Sequence, residues 1–157
     1  MSYVIVGIDP GVTGGLAVIH DGQLAGVEPM PVHDSRADGW AIDAMLTDWE
    51  PDVVFLENTQ PMPKNGSIAS FSLGLNTGII VGVVQANHFS LVRVRPVDWK
   101  RKMGLTGKDK SASRGLATEL FPDYANSFKK VSQDGLAEAA LIARYGFFSE
   151  FPVRAVR

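Results

Sequence analysis

The chain has 157 residues, 45% hydrophobic and 20% charged, with a net charge of −2 and no cysteine. That length can bury the core of one domain, expected over 1–157, and the missing thiols exclude disulfides, thiolate metal sites and cysteine nucleophiles. A reducing, cytoplasmic setting is expected, with no signal peptide, and the apolar stretch 73–84, broken by Gly74, Asn76, Thr77, Gly78 and Gly82, is expected not to span a bilayer.

Residues 3–9 form an apolar, β-branched run that stops at Pro10-Gly11, which predicts a buried strand. Residues 16–19 predict a second strand. Asp21-Gly22 is a two-residue hairpin signal, and 23–28 return as a third strand, making an antiparallel meander. Residues 29–35, with two prolines, are expected as a loop. The spacing over 37–49 predicts a helix with Trp40, Ile42, Met45, Leu46 and Trp49 on one face, and both tryptophans are expected in the core. Residues 53–57 are wholly apolar until the final acid, as in a strand buried on both faces.

A loop is expected over 61–66, and a long helix over 68–86. Gly74, Gly78 and Gly82 weaken that helix but permit close packing, in the core or between subunits. A strand over 91–94 follows, then a short helix over 97–103, a loop, a helix over 110–120 and a last helix over 134–147. Phe147, Phe148 and Phe151 fit packing within the domain or between subunits. The order is that of an α/β domain with a mixed sheet.

Four carboxylates stand out. Asp9 ends the first strand before a Gly-rich turn, and Glu57 ends the fourth. Sites in α/β sheets form at the carboxyl ends of strands, and these two strands are expected to be neighbours. Each acid alone is more often a strand-terminating turn residue; the two together point to function. Asp134 and Glu138, four apart, share one face of the last helix, although Asp134 also suits a helix cap or first turn. Clustered carboxylates without Cys or His companions favour hard cations, Mg²⁺ or Mn²⁺. Two such ions, about 4 Å apart, would activate a water and steady the leaving oxygen of a phosphodiester, with 5′-phosphate and 3′-hydroxyl products. Asp9 would bridge the two, Glu57 would bind one, and Asp134 and Glu138 would hold the other.

The charge is unevenly placed. Residues 93–114 carry eight Lys/Arg against Asp98 and Asp109, so this segment is +6 and the remainder −8. A basic patch on an acidic body suits phosphate binding, and Lys100, Arg101, Lys108, Lys110 and Arg114 are the candidate DNA contacts. Lys108 and Lys110 also flank the start of a helix, whose N-terminus suits a phosphate. His20, His33 and His88 have no ligand spacing.

The segments GIDPGVTGGLAV, VVFLENTQPMPKNGSIASFSLGLNTGIIVGVV, VRPVDWKRKMGLTGKDKSAS and SQDGLAEAALIARYG occur in an order that resembles the RuvC family of Holliday-junction resolvases, in a phage- or prophage-like variant. The resemblance implies an RNase H-like fold, with three antiparallel strands followed by parallel strands in a five-stranded sheet flanked by helices. It implies a homodimer that nicks four-way DNA junctions symmetrically, with no nucleotide cofactor and no membrane. Asp9 and Glu57 match the family's first two catalytic acids, Asp134 and Glu138 the terminal pair, and Lys100 and Lys110 its phosphate-contacting bases. The chain departs from the bacterial pattern in the four-residue spacing of the terminal pair, in Gly135 between them, and in Gln60 where an aromatic is usual; Met62 and Phe71 are alternatives for that role. Competing readings are another RNase H-like nuclease, an actin-like nucleotide-binding domain, and a junction-binding protein without activity.

Overall fold

The computed structural model describes residues 2–151. Strand β1 (Val4–Asp9) pairs antiparallel with β2 (Gly15–His20), which pairs antiparallel with β3 (Gln23–Pro29). On its other edge β1 pairs in parallel with β6 (Val53–Glu57), and β6 with β7 (Ser90–Val94), so the order is β3-β2-β1-β6-β7. The three antiparallel strands followed by parallel ones are the expected sheet. Asp21 and Gly22, at φ 48° and 86°, make the tight β2–β3 turn.

Side chains alternate across the sheet, and this alternation decides where the acids go. Val4, Val6 and Ile8 face one side with Val54 and Leu56. They pack under helices α1 (Gly39–Trp49) and α2 (Ser67–Ala86) around Ile42, Leu46, Ile80 and Val84. Ile5, Gly7 and Asp9 face the other side with Val53, Phe55 and Glu57. That side is covered by α3 (Pro96–Lys102), α4 (Lys110–Leu120) and α5 (Asp134–Glu150). The centre of α5 sits directly on β1: a Cβ on Gly7 would come within 2.3 Å of the Ala143 nitrogen and 2.4 Å of the Ala139 carbonyl oxygen.

Several expectations change. Residues 29–35 are not simply a loop: β4 (Val32–His33) and β5 (Arg36–Ala37) form a small hairpin turned by Asp34 and Ser35, both at positive φ. Trp40 is 91% exposed rather than in the core. At about 100° per residue it lies roughly 200° around α1 from Ile42, which with Leu46 sets the buried face. Trp49 is half-buried. Two 3-10 segments, Pro122–Phe128 and Val131–Gln133, occupy a stretch with no periodic signal. The C-terminal aromatics pack within the chain, with ring centroids 5.1 Å apart for Phe147 and Phe151 and 4.9 Å for Tyr3 and Phe151.

Helix α2 differs most from the reading of 73–84. At 20 residues it is long and apolar enough, by length and composition alone, to cross a membrane. Here it lies on the sheet, burying Asn76, Ile80 and Val84. The buried Asn76 is satisfied by the Ala37 N–H, which donates to its Oδ1 at 2.8 Å and ties the hairpin to α2.

Candidate active site

Asp9 and Glu57 end two adjacent parallel strands in register, Ile8 opposite Leu56, so their carboxylates leave the same end and the same face of the sheet. The third acid arrives from α5. Gly135 lets this helix start against the β1–β2 turn: a Cβ there would lie 2.2 Å from the Thr13 carbonyl oxygen and 2.5 Å from Gly14 Cα. One turn further on, Glu138 is buried at 6% exposure. Glu57 is buried at 4%.

The charge of Glu138 is felt at both Asp9 and Glu57. Burial, and after it the charges of Glu57 and Glu138, push the Asp9 carboxyl up to about 7. The Gly11 N–H, donating to Asp9 Oδ1 at 3.3 Å, and the Lys110 charge pull the other way and only partly offset this. Glu57 is also raised, mainly by burial, against the indole N–H of Trp99, which donates to its Oε1 at 2.8 Å. Lys100 Nζ stands 3.8 Å from Glu138 Oε1, too far for a hydrogen bond, and that buried oxygen has no hydrogen-bond partner among the described residues.

Asp134 is set apart from this trio. It opens α5 as a first-turn acid, with Gln133 at the N-cap, and its Oδ1 lies 3.3 Å from Arg114 Nη1. Both members of that pair are 16% exposed. Of the candidate bases, Lys100, Lys108 and Lys110 line one narrow cleft with Glu138, Asp109 and Ser113. Arg114 is committed to Asp134. Arg101 turns elsewhere, 3.2 Å from Asp98 and 72% exposed. The α4 N-terminus is also less open to a phosphate than its sequence suggests, because Asp109 caps it, accepting the Ala112 N–H at 3.2 Å.

Two residues at the site were not assigned a role from the sequence. Trp99, which lies inside the basic segment 93–114, is fully buried. A lone large apolar side chain one position before Lys100 in a short charged helix was the available signal. Gly135 was noted as a departure in spacing, without its packing role.

The donor set fits a divalent metal ion. Three buried or half-buried carboxylates are gathered with only lysines to balance them, burial and then the charges of Glu57 and Glu138 hold the Asp9 carboxyl at about 7, and one Glu138 oxygen lacks a partner among the described residues. A hard cation on oxygen donors would relieve all three conditions. Among the described residues no trio of acid or histidine side chains has closed to coordinating distance, so the acids are gathered rather than locked.

The comparisons agree on architecture. No protein-family model matches the chain. A Chlamydomonas reinhardtii protein, the chloroplastic Holliday junction resolvase MOC1, is 30% identical over 99 residues, which are 62% of this chain and 11% of that protein. RuvC from Thermus thermophilus superposes with a TM-score of 0.71 at 18% identity, over 94% of this chain and 95% of that one. The same protein in complex with a Holliday junction substrate gives 0.69 at 16% identity, over 96% of each chain. The yeast mitochondrial Holliday junction resolvase gives 0.56 at 14% identity, over 90% of this chain and 76% of that one. The fold is the RNase H-like fold of RuvC.

Proposed function

We propose that this chain is a divalent-cation-dependent endonuclease that resolves four-way DNA junctions by paired, symmetric nicks. The observation that carries the reading is the convergence of Asp9, Glu57 and Glu138 from two strands and a helix beside a cleft rimmed by Lys100, Lys108 and Lys110. A nuclease site needs that combination: acids to hold cations and bases to hold a phosphate beside them. The RuvC fold around it, and the resolvase names of the proteins it resembles, support the substrate.

Asp9, Glu57 and Glu138 would hold the cation, and Asp134 would join them for a second ion when its pair with Arg114 opens. Bound Mg²⁺ or Mn²⁺ would supply a stronger water nucleophile and charge neutralisation at the leaving oxygen. The chain's own residues do the rest. The Gly11 N–H orients Asp9, Trp99 holds Glu57, and the three lysines draw the scissile phosphate toward the acids. With O3′ as the leaving group, in-line attack of water at phosphorus would break the P–O3′ bond and give 5′-phosphate and 3′-hydroxyl ends.

Symmetric nicking calls for a homodimer, and α2 offers it a surface. This helix carries no charged residue. Ile68 is 86% exposed and Phe71 72%, and Gly74, Gly78 and Gly82 have open space where a Cβ would be. The glycines therefore do not serve the core, and close helix–helix approach between protomers is the use left to them.

The test is cleavage of an immobile four-way DNA junction beside duplex, flap and RNA–DNA hybrid controls, in Mg²⁺, Mn²⁺ or EDTA. Paired metal-dependent nicks confined to the junction are expected. Activity only on the hybrid would move the protein to another RNase H-like nuclease class, and tight junction binding without cleavage in any metal would make it a binding module.

A further inference from the structure

Among the described residues Trp99 is the largest fully buried side chain, and it is the only tryptophan of the three in the core. A buried indole N–H must find an acceptor. Most would find a backbone carbonyl; this one donates to Glu57 Oε1 at 2.8 Å. Its ring belongs to the hydrophobic cluster that holds Phe55, two residues before Glu57 on β6, and Val94 on the neighbouring β7. On the other side Lys100 Nζ lies 5.3 Å from the ring centroid and 3.8 Å from Glu138 Oε1. One rigid side chain thus touches a carboxylate of the acid trio and the lysine next to another.

A glutamate reaches its carboxylate through three rotatable bonds, so a Glu that binds a cation well needs something to hold its head group. Hydrogen bonds from neighbouring groups commonly do this for metal-binding carboxylates. The indole takes one oxygen of Glu57 and leaves Oε2. The ring itself cannot shift, because it is closed in by the core. Elsewhere around the trio the holding contacts are weaker: the Gly11 N–H reaches Asp9 at 3.3 Å, and Glu138 Oε1 has no hydrogen bond.

We propose that Trp99 is a positioning residue for the cation site, its indole N–H fixing the Glu57 head group while its ring carries Lys100 beside Glu138. This rests on the cation-dependent reading of the site given above. It also assigns a purpose to α3: the helix is anchored through its one buried residue, so that Lys100 is presented at a fixed distance from the acids.

Trp99→Phe keeps an aromatic ring and removes the N–H. Mn²⁺ binding to the native chain and to this variant would be measured by calorimetry without DNA, with thermal unfolding in EDTA alongside. The variant is expected to bind Mn²⁺ about 10- to 100-fold more weakly, and to bind the junction in EDTA as tightly as the native chain. A second readout needs no variant at position 99 to fold. Of the three indole ¹H–¹⁵N resonances, that of Trp99 should move in Glu57→Gln and during a Mg²⁺ titration, while those of Trp40 and Trp49 stay. Equal Mn²⁺ affinity in native and Trp99→Phe, or an unmoved Trp99 resonance while Mg²⁺ binds, would overturn the role of Trp99 and leave the cation site standing. No Mn²⁺ or Mg²⁺ binding by the native chain would overturn the cation site and the role of Trp99 together.

Discussion

Asp9 follows Ile5 and Gly7 on one face of β1, so its carboxylate is carried into a half-buried position by the same alternation that builds the core. Its carboxyl, at about 7 instead of 3.8, binds its proton more tightly in the folded chain than in the unfolded one. Without metal, stability should therefore fall as pH rises from about 4 through 7, by at most about 4 kcal/mol for a shift of this size. Asp9→Asn should remove most of that slope and be the more stable protein at pH 8 in EDTA, while losing cleavage and keeping junction binding. Urea unfolding at pH 5 and pH 8 checks this; identical slopes in the two proteins would mean that Asp9 is not the strained group. Lys110 acts on both Asp9 and Glu57 from the rim of the cleft. Lys110→Ala should weaken junction binding and reduce the slope of log affinity against log salt by about 0.9. An unchanged slope in a salt titration would place the DNA on another surface.

At the scale of elements, the site depends on how closely α5 approaches β1 and the β1–β2 turn. Gly135 sits within backbone contact distance of Thr13 and Gly14, and an added methyl has nowhere to go. Gly135→Ala should cost about 1–3 kcal/mol and lift Glu138 away from Asp9, with loss of cleavage larger than the loss of stability would explain. Gly115, exposed on α4 with open space around it, is the control. There the same change should stabilise by about 0.5–1 kcal/mol, because Ala favours the helix, and leave cleavage intact. Chemical denaturation of the two variants beside a junction assay distinguishes them; a neutral Gly135→Ala would refute the packing argument. The strands were legible because β-branched runs stop at Pro, Gly or an acid. The β4–β5 hairpin was not, because two residues per strand leave no periodicity to read.

For the whole molecule, net charge is a poor guide and its distribution a good one. A −2 chain presents Lys100, Lys108 and Lys110 together because α3 and α4 bring the +6 segment over the acid end of the sheet. The uncharged, glycine-striped face of α2 lies on the opposite layer, so a pair of chains joined there would keep both clefts free. Gly78→Arg should give a monomer by light scattering and lose paired nicking, while the isolated chain keeps its Mn²⁺ binding. A dimer that survives this substitution would need a different interface.

The sequence by itself determined the five main strands, the helices in chain order, and the four acids as candidates, since period-2 and period-3.6 patterns and strand-ending carboxylates are local signals. It also located the basic segment. Which acids meet was decided only in three dimensions. Asp9, Glu57 and Glu138 converge because β1 and β6 pair in register and Gly135 lets α5 close on them, whereas Asp134, four residues away on the same helix, is drawn to Arg114. The bases were sorted in the same way, Lys100, Lys108 and Lys110 toward the site and Arg101 toward Asp98. Trp40, expected in the core, lies in solvent, and Trp99 is buried with its indole N–H on Glu57. Burial and partner choice are set by contacts between residues distant in sequence, and a hydrogen bond across 42 positions leaves no trace in local pattern.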